Sequence, residues 1–164
     1  YNPYNKEKPN LNFISLEYTQ RPPDDLIGIL GNLLEAASNS TKRKEERITI
    51  DANSMKKMGL KSKSTQVLID NIPRTCIVRD LSFSGAKVIV PGVAKFLLEK
   101  EAELHLSSVE RKEIVIKGKT IRHEPVEGRK DLAALAIKFH EDSVPMEYKM
   151  LINEYLKQKR KGMS

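Results

Sequence analysis

The sequence has no tryptophan, a single cysteine and only 5% aromatic residues. One cysteine, Cys76, cannot close an internal disulfide, which fits a reducing, cytoplasmic setting. It lies in an apolar run and is expected to be a small core residue. Scarce aromatics argue against a platform for single-stranded nucleic acid, which stacks bases on interleaved rings. No apolar run approaches the ~20 residues that a membrane-spanning helix needs, and no signal-peptide pattern opens the chain, so no membrane insertion is expected. The first residue is Tyr1 rather than Met, as in a trimmed fragment of a longer protein. His105, His123 and His140 have no close metal-ligand spacing, and no phosphate loop, nucleophile elbow or HExxH helix is present. No catalytic residue, metal ligand or cofactor is therefore assigned, and the chain does not read as an enzyme.

What is present is a basic chain with a clear change of period. Its 164 residues are 39% hydrophobic and carry a net charge of +7. That suffices for one cored domain of ordinary size plus an extension. Residues 1 to about 23 are rich in Asn, Pro and Lys and read as irregular, with Leu11–Tyr18 as a short packed piece. From 24 to 38, Leu26, Ile27, Leu30, Leu33, Leu34 and Ala37 recur at helical spacing behind Asp24 and Asp25. Gly28 and Gly31 weaken this helix by roughly 1 kcal/mol each relative to Ala, so it is expected to be held by docking. Asn39–Thr41 then reads as a polar break. The organisation expected is an N-terminal extension, 1–40, followed by a domain, 41–160.

From Arg47 the period becomes two. Ile48 and Ile50, Val67–Ile69, Thr75–Leu81, Ala86–Val90, Leu104 and Leu106, Ile114 to Ile121, and Leu132–Phe139 form a series of short β runs, with a turn at Asn71-Ile72-Pro73. Met55–Leu60 and Val93–Lys100 read as short helical excursions. Six or seven strands in a little over 90 residues predict a mainly β fold, a closed or nearly closed antiparallel barrel. An amphipathic helix ends the chain, with Pro145 at its first position and an apolar stripe of Tyr148, Leu151, Ile152, Tyr155 and Leu156.

Charge is concentrated. Residues 42–63 hold eight cationic against three acidic side chains, +5 of the chain's +7. A second run, Lys157, Lys159, Arg160 and Lys161, reads as a solvated face. In the first cluster, Arg43-Lys44-Glu45-Glu46-Arg47 sets two arginines four residues apart just before the first strand. Asp80-Leu81-Ser82-Phe83-Ser84-Gly85 follows between two β runs. This pair of motifs resembles the PilZ family, whose signature is Arg-x-x-x-Arg at the entry to a β-barrel and Asp/Asn-x-Ser-x-x-Gly further on. The resemblance covers about Thr41 to Leu156.

The resemblance implies a receptor for the bacterial second messenger cyclic di-GMP. Arg43, Arg47, Asp80, Ser82 and Gly85 would be its ligand residues, with Lys42 and Lys44 as secondary candidates. The chemistry agrees. An arginine fork matches guanine O6 and N7, pairs with phosphate and stacks on bases. Asp80 would accept from the guanine N1–H and N2–H₂ donors, and Gly85 admits a close backbone approach. Against this stands ordinary chemistry: the arginines could pair with nearby acids, and Asp, Ser and Gly all favour turns. Two other functions remain open from the residues alone, a small basic barrel for single-stranded nucleic acid and a ligand-free protein-interaction PilZ module. A receptor of this kind also implies a downstream protein partner, in processes such as motility, which no residue names. Like charges crowded between 42 and 47 suggest a mobile connector that a dianionic ligand would order.

Overall fold

A computed structural model of the chain describes residues 2–3, 12–13, 25–110 and 112–163. The chain divides into two compact units, Tyr1–Gly31 and Asn32–Ser164. In the first, strands β1 (Asn2–Pro3) and β2 (Asn12–Phe13) pair antiparallel. The strand β2 falls inside the Leu11–Tyr18 piece expected from sequence, whose other residues lie outside the described ones. Helix α1 (Leu26–Lys42) begins in this unit and ends in the second.

The helix runs four residues beyond its predicted end. Asn39, Ser40 and Thr41 do not break it, and the side chains of Asn39 and Ser40 are hydrogen-bonded in place. The Ser40 hydroxyl donates to the Ala37 carbonyl at 2.8 Å, a back-bond that lets serine remain helical. The Arg43 amide closes the last turn on the Asn39 carbonyl at 2.8 Å.

The second unit is built on seven strands: β3 (Ile48–Thr49), β4 (Ser64–Ile69), β5 (Ile72–Leu81), β6 (Gly85–Pro91), β7 (Glu101–Leu106), β8 (Ile114–Val126) and β9 (Arg129–Phe139). All pairings are antiparallel, in the order β3-β5-β4-β7-β8-β9-β6, and β6 also pairs with β5. Six strands thus close a barrel, as the period-two pattern predicts, and β3 adds to the outside of β5. Closure removes the free edges that an open sheet would expose.

Local chemistry explains the joints. Helix α2 (Ala52–Met58) starts on a capping box in which the Asp51 carboxylate accepts from the Ser54 amide at 2.8 Å and the Ser54 hydroxyl accepts from the Asp51 amide. Gly59 ends it at φ 67°, a left-handed conformation that favours glycine. The β4–β5 turn is Asp70-Asn71, both at positive φ, while Ile72 and Pro73 already belong to β5. Asp and Asn tolerate that conformation, so the tight turn sits one or two residues before the predicted one. Val93–Lys100 is reduced to one 3-10 turn, Ala94–Phe96.

Inward-facing side chains of the strands fill the barrel, among them Val67, Cys76, Val78, Leu104, Ile116, Leu135 and Ile137. Burial pushes the Cys76 thiol up to about 12. Helix α3 (Met146–Lys161) covers one end, adding Tyr148, Leu151, Ile152 and Leu156 to the same core; Tyr155 is only half-buried. Pro145 is its N-cap, one position earlier than predicted. Among the described residues, no helix is long and apolar enough to cross a membrane.

Candidate functional site

The two motifs meet on the outer face of β5, beside the start of β3. Arg47 immediately precedes β3, whose Thr49 pairs with Asp80 in β5. This pairing carries the arginine to the carboxylate: Arg47 Nη1 donates to Asp80 Oδ1. The side chains are 38% and 18% exposed, so the pair stands at the surface rather than in the core.

Asp80 owes its orientation to a β-bulge. The β5–β6 register shifts between Val78 and Asp80. Val78 and Leu81 both point into the core, so two residues, Arg79 and Asp80, lie between consecutive inward positions. An extra residue of this kind re-aims its neighbours, and bulges are frequent beside sites for that reason.

Ser82 and Gly85 form the floor of the motif. Ser82 is fully buried, and its hydroxyl accepts from the Gly85 amide at 3.1 Å. The Ser82 amide donates to the Gly85 carbonyl at 2.8 Å. These bonds close the β5–β6 turn, so Ser82 shapes the motif from within rather than standing beside Asp80 as an open hydroxyl. A Cβ on Gly85 would lie 2.4 Å from the Ile137 carbonyl oxygen, which makes glycine a requirement of the β6–β9 approach. From below, the Tyr148 hydroxyl of α3 donates to the Ser82 carbonyl at 2.7 Å. Burial raises the Tyr148 pKa well above its ordinary value, and the Asp80 charge raises it further.

The arginine connector is tied down by a residue that the sequence reading passed over. Ser84 donates from its amide to the Lys44 carbonyl at 3.2 Å, and its hydroxyl lies 2.9 Å from the same oxygen and 3.1 Å from Glu45 Oε1. The Glu46 amide also donates to the Arg43 carbonyl at 3.0 Å. Charge repulsion along 42–47 is thus countered by a hydrogen-bonded latch. Ser84 occupies a variable position of the motif, so only the fold reveals its contact.

The other candidates are less tightly joined. Arg43 is half-buried, and among the described residues no hydrogen bond or ion pair joins its side chain to Asp80. Lys42 is exposed at the end of α1. Lys44 is exposed and pairs with Glu141 at 3.7 Å, a surface contact of small worth. The basic tail is not wholly solvated, since Lys157 pairs with Glu35 of α1 at 2.9 Å. Among the described residues, no group of three or more His, Cys, Asp or Glu could hold a metal ion.

An open cleft beside the motifs is lined by Glu45, Arg47, Ser84, Gly85, Ile121, Arg122 and the Ala136–Lys138 segment. Its lining carries three cations, Arg47, Arg122 and Lys138, against one carboxylate, Glu45, and Arg47 is also paired with Asp80. Sequence reasoning missed Arg122 and Lys138, which sit in long β runs with no motif to mark them.

The sequence pattern of the PilZ domain matches residues 41–158, and that of the PilZN3 domain matches residues 1–37. A protein of Treponema denticola described as a cyclic di-GMP binding protein is 50% identical over 162 residues, which are 98% of this chain and 52% of that protein. The crystal structure of the Borreliella burgdorferi PlzA protein in complex with c-di-GMP is similar with a TM-score of 0.53 and 29% identity, over 85% of this chain and 51% of that one. The chain therefore spans about half the length of these relatives. With the PilZ pattern extending over the greater part of its residues, the chain belongs to the PilZ domain family.

Proposed function

We propose that the chain is a receptor for cyclic di-GMP, not an enzyme, and that Arg43, Arg47, Asp80, Ser82 and Gly85 form its ligand site. The observation that carries the reading is the Arg47–Asp80 pair at the edge of a cation-lined cleft. It sets a guanidinium fork and a carboxylate side by side, the two groups that a guanine edge and a phosphodiester require together. The names of both relatives point to the same ligand. In this reading Arg47 and Arg43 take base edge and phosphate, Asp80 accepts from guanine N1–H and N2–H₂, and Ser82 and Gly85 hold the turn that presents Asp80. Lys42 and Lys44 add positive charge at the entrance.

Ligand binding would exchange the Arg47–Asp80 and Ser84–Glu45 contacts for contacts to the nucleotide. The connector follows directly from α1, so such an exchange would reach the helix and, through it, an unidentified protein partner. Calorimetric titration with cyclic di-GMP, cyclic di-AMP and a short single-stranded oligonucleotide tests the reading. Binding of cyclic di-GMP alone supports it, and preference for the oligonucleotide overturns it. Arg47→Ala, Arg43→Ala and Asp80→Ala should each weaken binding by about 1–3 kcal/mol. Hydrogen exchange over residues 36–50 should fall on binding if the connector is the moving part.

A further inference from the structure

The register of the barrel places one outward-facing row across four strands. Asp80 of β5 pairs with Lys87 of β6, Lys87 with Ala136 of β9, and Ala136 with Arg122 of β8. The flanking rows are inward: Leu81, Ala86 and Ile137 on one side and Val78, Val88 and Leu135 on the other belong to the core. Arg122 reaches this row through a second bulge, since the β8–β9 register shifts between Thr120 and Arg122. Bulges thus stand at both ends of the row, one aiming Asp80 and one aiming Arg122.

The row has a definite chemistry. Three strand spacings separate Asp80 from Arg122, roughly 14 Å at about 4.8 Å per strand. Lys87 is engaged by the Glu124 carboxylate, both of whose oxygens lie 2.9 Å from Nζ. Ala136 contributes almost no bulk, and Ile121 beside Arg122 is partly exposed, so this end of the cleft has an apolar floor. Among the described residues, the Arg122 guanidinium has no hydrogen bond or salt bridge, although its field helps to hold Glu124 ionised. An apolar floor beside a planar cation suits a base face, because guanidinium stacks on aromatic rings and ammonium does not do so equally.

We infer that Arg122 is a specificity-determining ligand residue: with Ile121 and Ala136 it holds the second guanine of cyclic di-GMP by stacking, while Arg47 and Asp80 hold the first half. The inference rests on the cyclic di-GMP reading above. A two-fold symmetric dinucleotide presents two bases, and the row offers one recognition group at each end. The experiment is titration of cyclic di-GMP into the parent, Arg122→Ala, Arg122→Lys, Arg47→Ala and the exposed Lys130→Ala. The last removes the same unit of charge outside the cleft. Both Arg122 variants should bind between about 5-fold and 100-fold more weakly with unchanged melting temperature, while Lys130→Ala binds like the parent. Parent-like affinity in Arg122→Ala overturns the assignment. Parent-like affinity in Arg122→Lys also overturns it, since charge alone would then suffice. In either case, a weakened Arg47→Ala leaves the receptor reading standing. A parent that does not bind removes both.

Discussion

Helices α1 and α3 carry similar apolar stripes in sequence and meet opposite fates. In α3, Tyr148, Leu151, Ile152 and Leu156 are buried, and the Tyr148 ring meets Phe139 edge-to-face with centroids 5.4 Å apart. In α1, Leu34 is 71% exposed, and Ala36 is the one described residue of the helix that is buried. What ties α1 within the second unit is polar: Asn39 Nδ2 donates to Asn153 Oδ1 at 2.7 Å, and Lys157 pairs with Glu35. Periodicity reports that a helix has an apolar face. It does not report whether another element lies within reach of that face.

The contrast can be sharpened by mutation, beginning where the effect is greatest. Tyr148→Ala should cost about 3–5 kcal/mol in urea unfolding, because it empties a fully buried site. Tyr148→Phe should cost about 1 kcal/mol by removing the donor from the Ser82 carbonyl. Next comes Asn39→Ala, which leaves the buried Asn153 without this partner and should cost about 1–3 kcal/mol. A loss below 0.3 kcal/mol, on the order of measurement error, would mean that this tie contributes nothing to α1.

A smaller effect is expected from the Glu35–Lys157 pair. Its hydrogen bond with Lys157 lowers the Glu35 pKa. A carboxylate with a depressed folded-state pKa contributes stability above its unfolded value, and that contribution is lost as pH falls through the folded value. Glu35→Gln should therefore abolish a slight stability advantage at neutral pH and leave acid stability unchanged. The smallest effect is expected at Leu34→Ser, within about 0.5 kcal/mol for an exposed position. A loss above about 2 kcal/mol would break the comparison, showing that this face is covered in solution.

Much of the proposed site is legible in the sequence because its motifs are local. Arg43, Arg47, Asp80, Ser82 and Gly85 stand in two short segments, and a motif is a statement about spacing within a segment. Roles that depend on register were not legible. Arg122 becomes a neighbour of the site only because Ala136 stands between it and Lys87 across the sheet. Ser84 latches Lys44 across forty residues. Ser82, expected among the ligand residues, is buried with its hydroxyl engaged in closing the turn.

The sequence by itself determined the strand series, the class of fold, the amphipathic C-terminal helix and the two motifs, since period-two alternation, helical spacing and charge clustering are properties of neighbouring residues. Tertiary structure alone decided which strands closed the barrel, where the bulges fell, which helix face was buried and which cations joined the cleft. Those outcomes depend on strand register and on the distance between elements far apart in the chain. A shift of one residue in register turns a side chain from one face of a sheet to the other, and no local pattern specifies that choice.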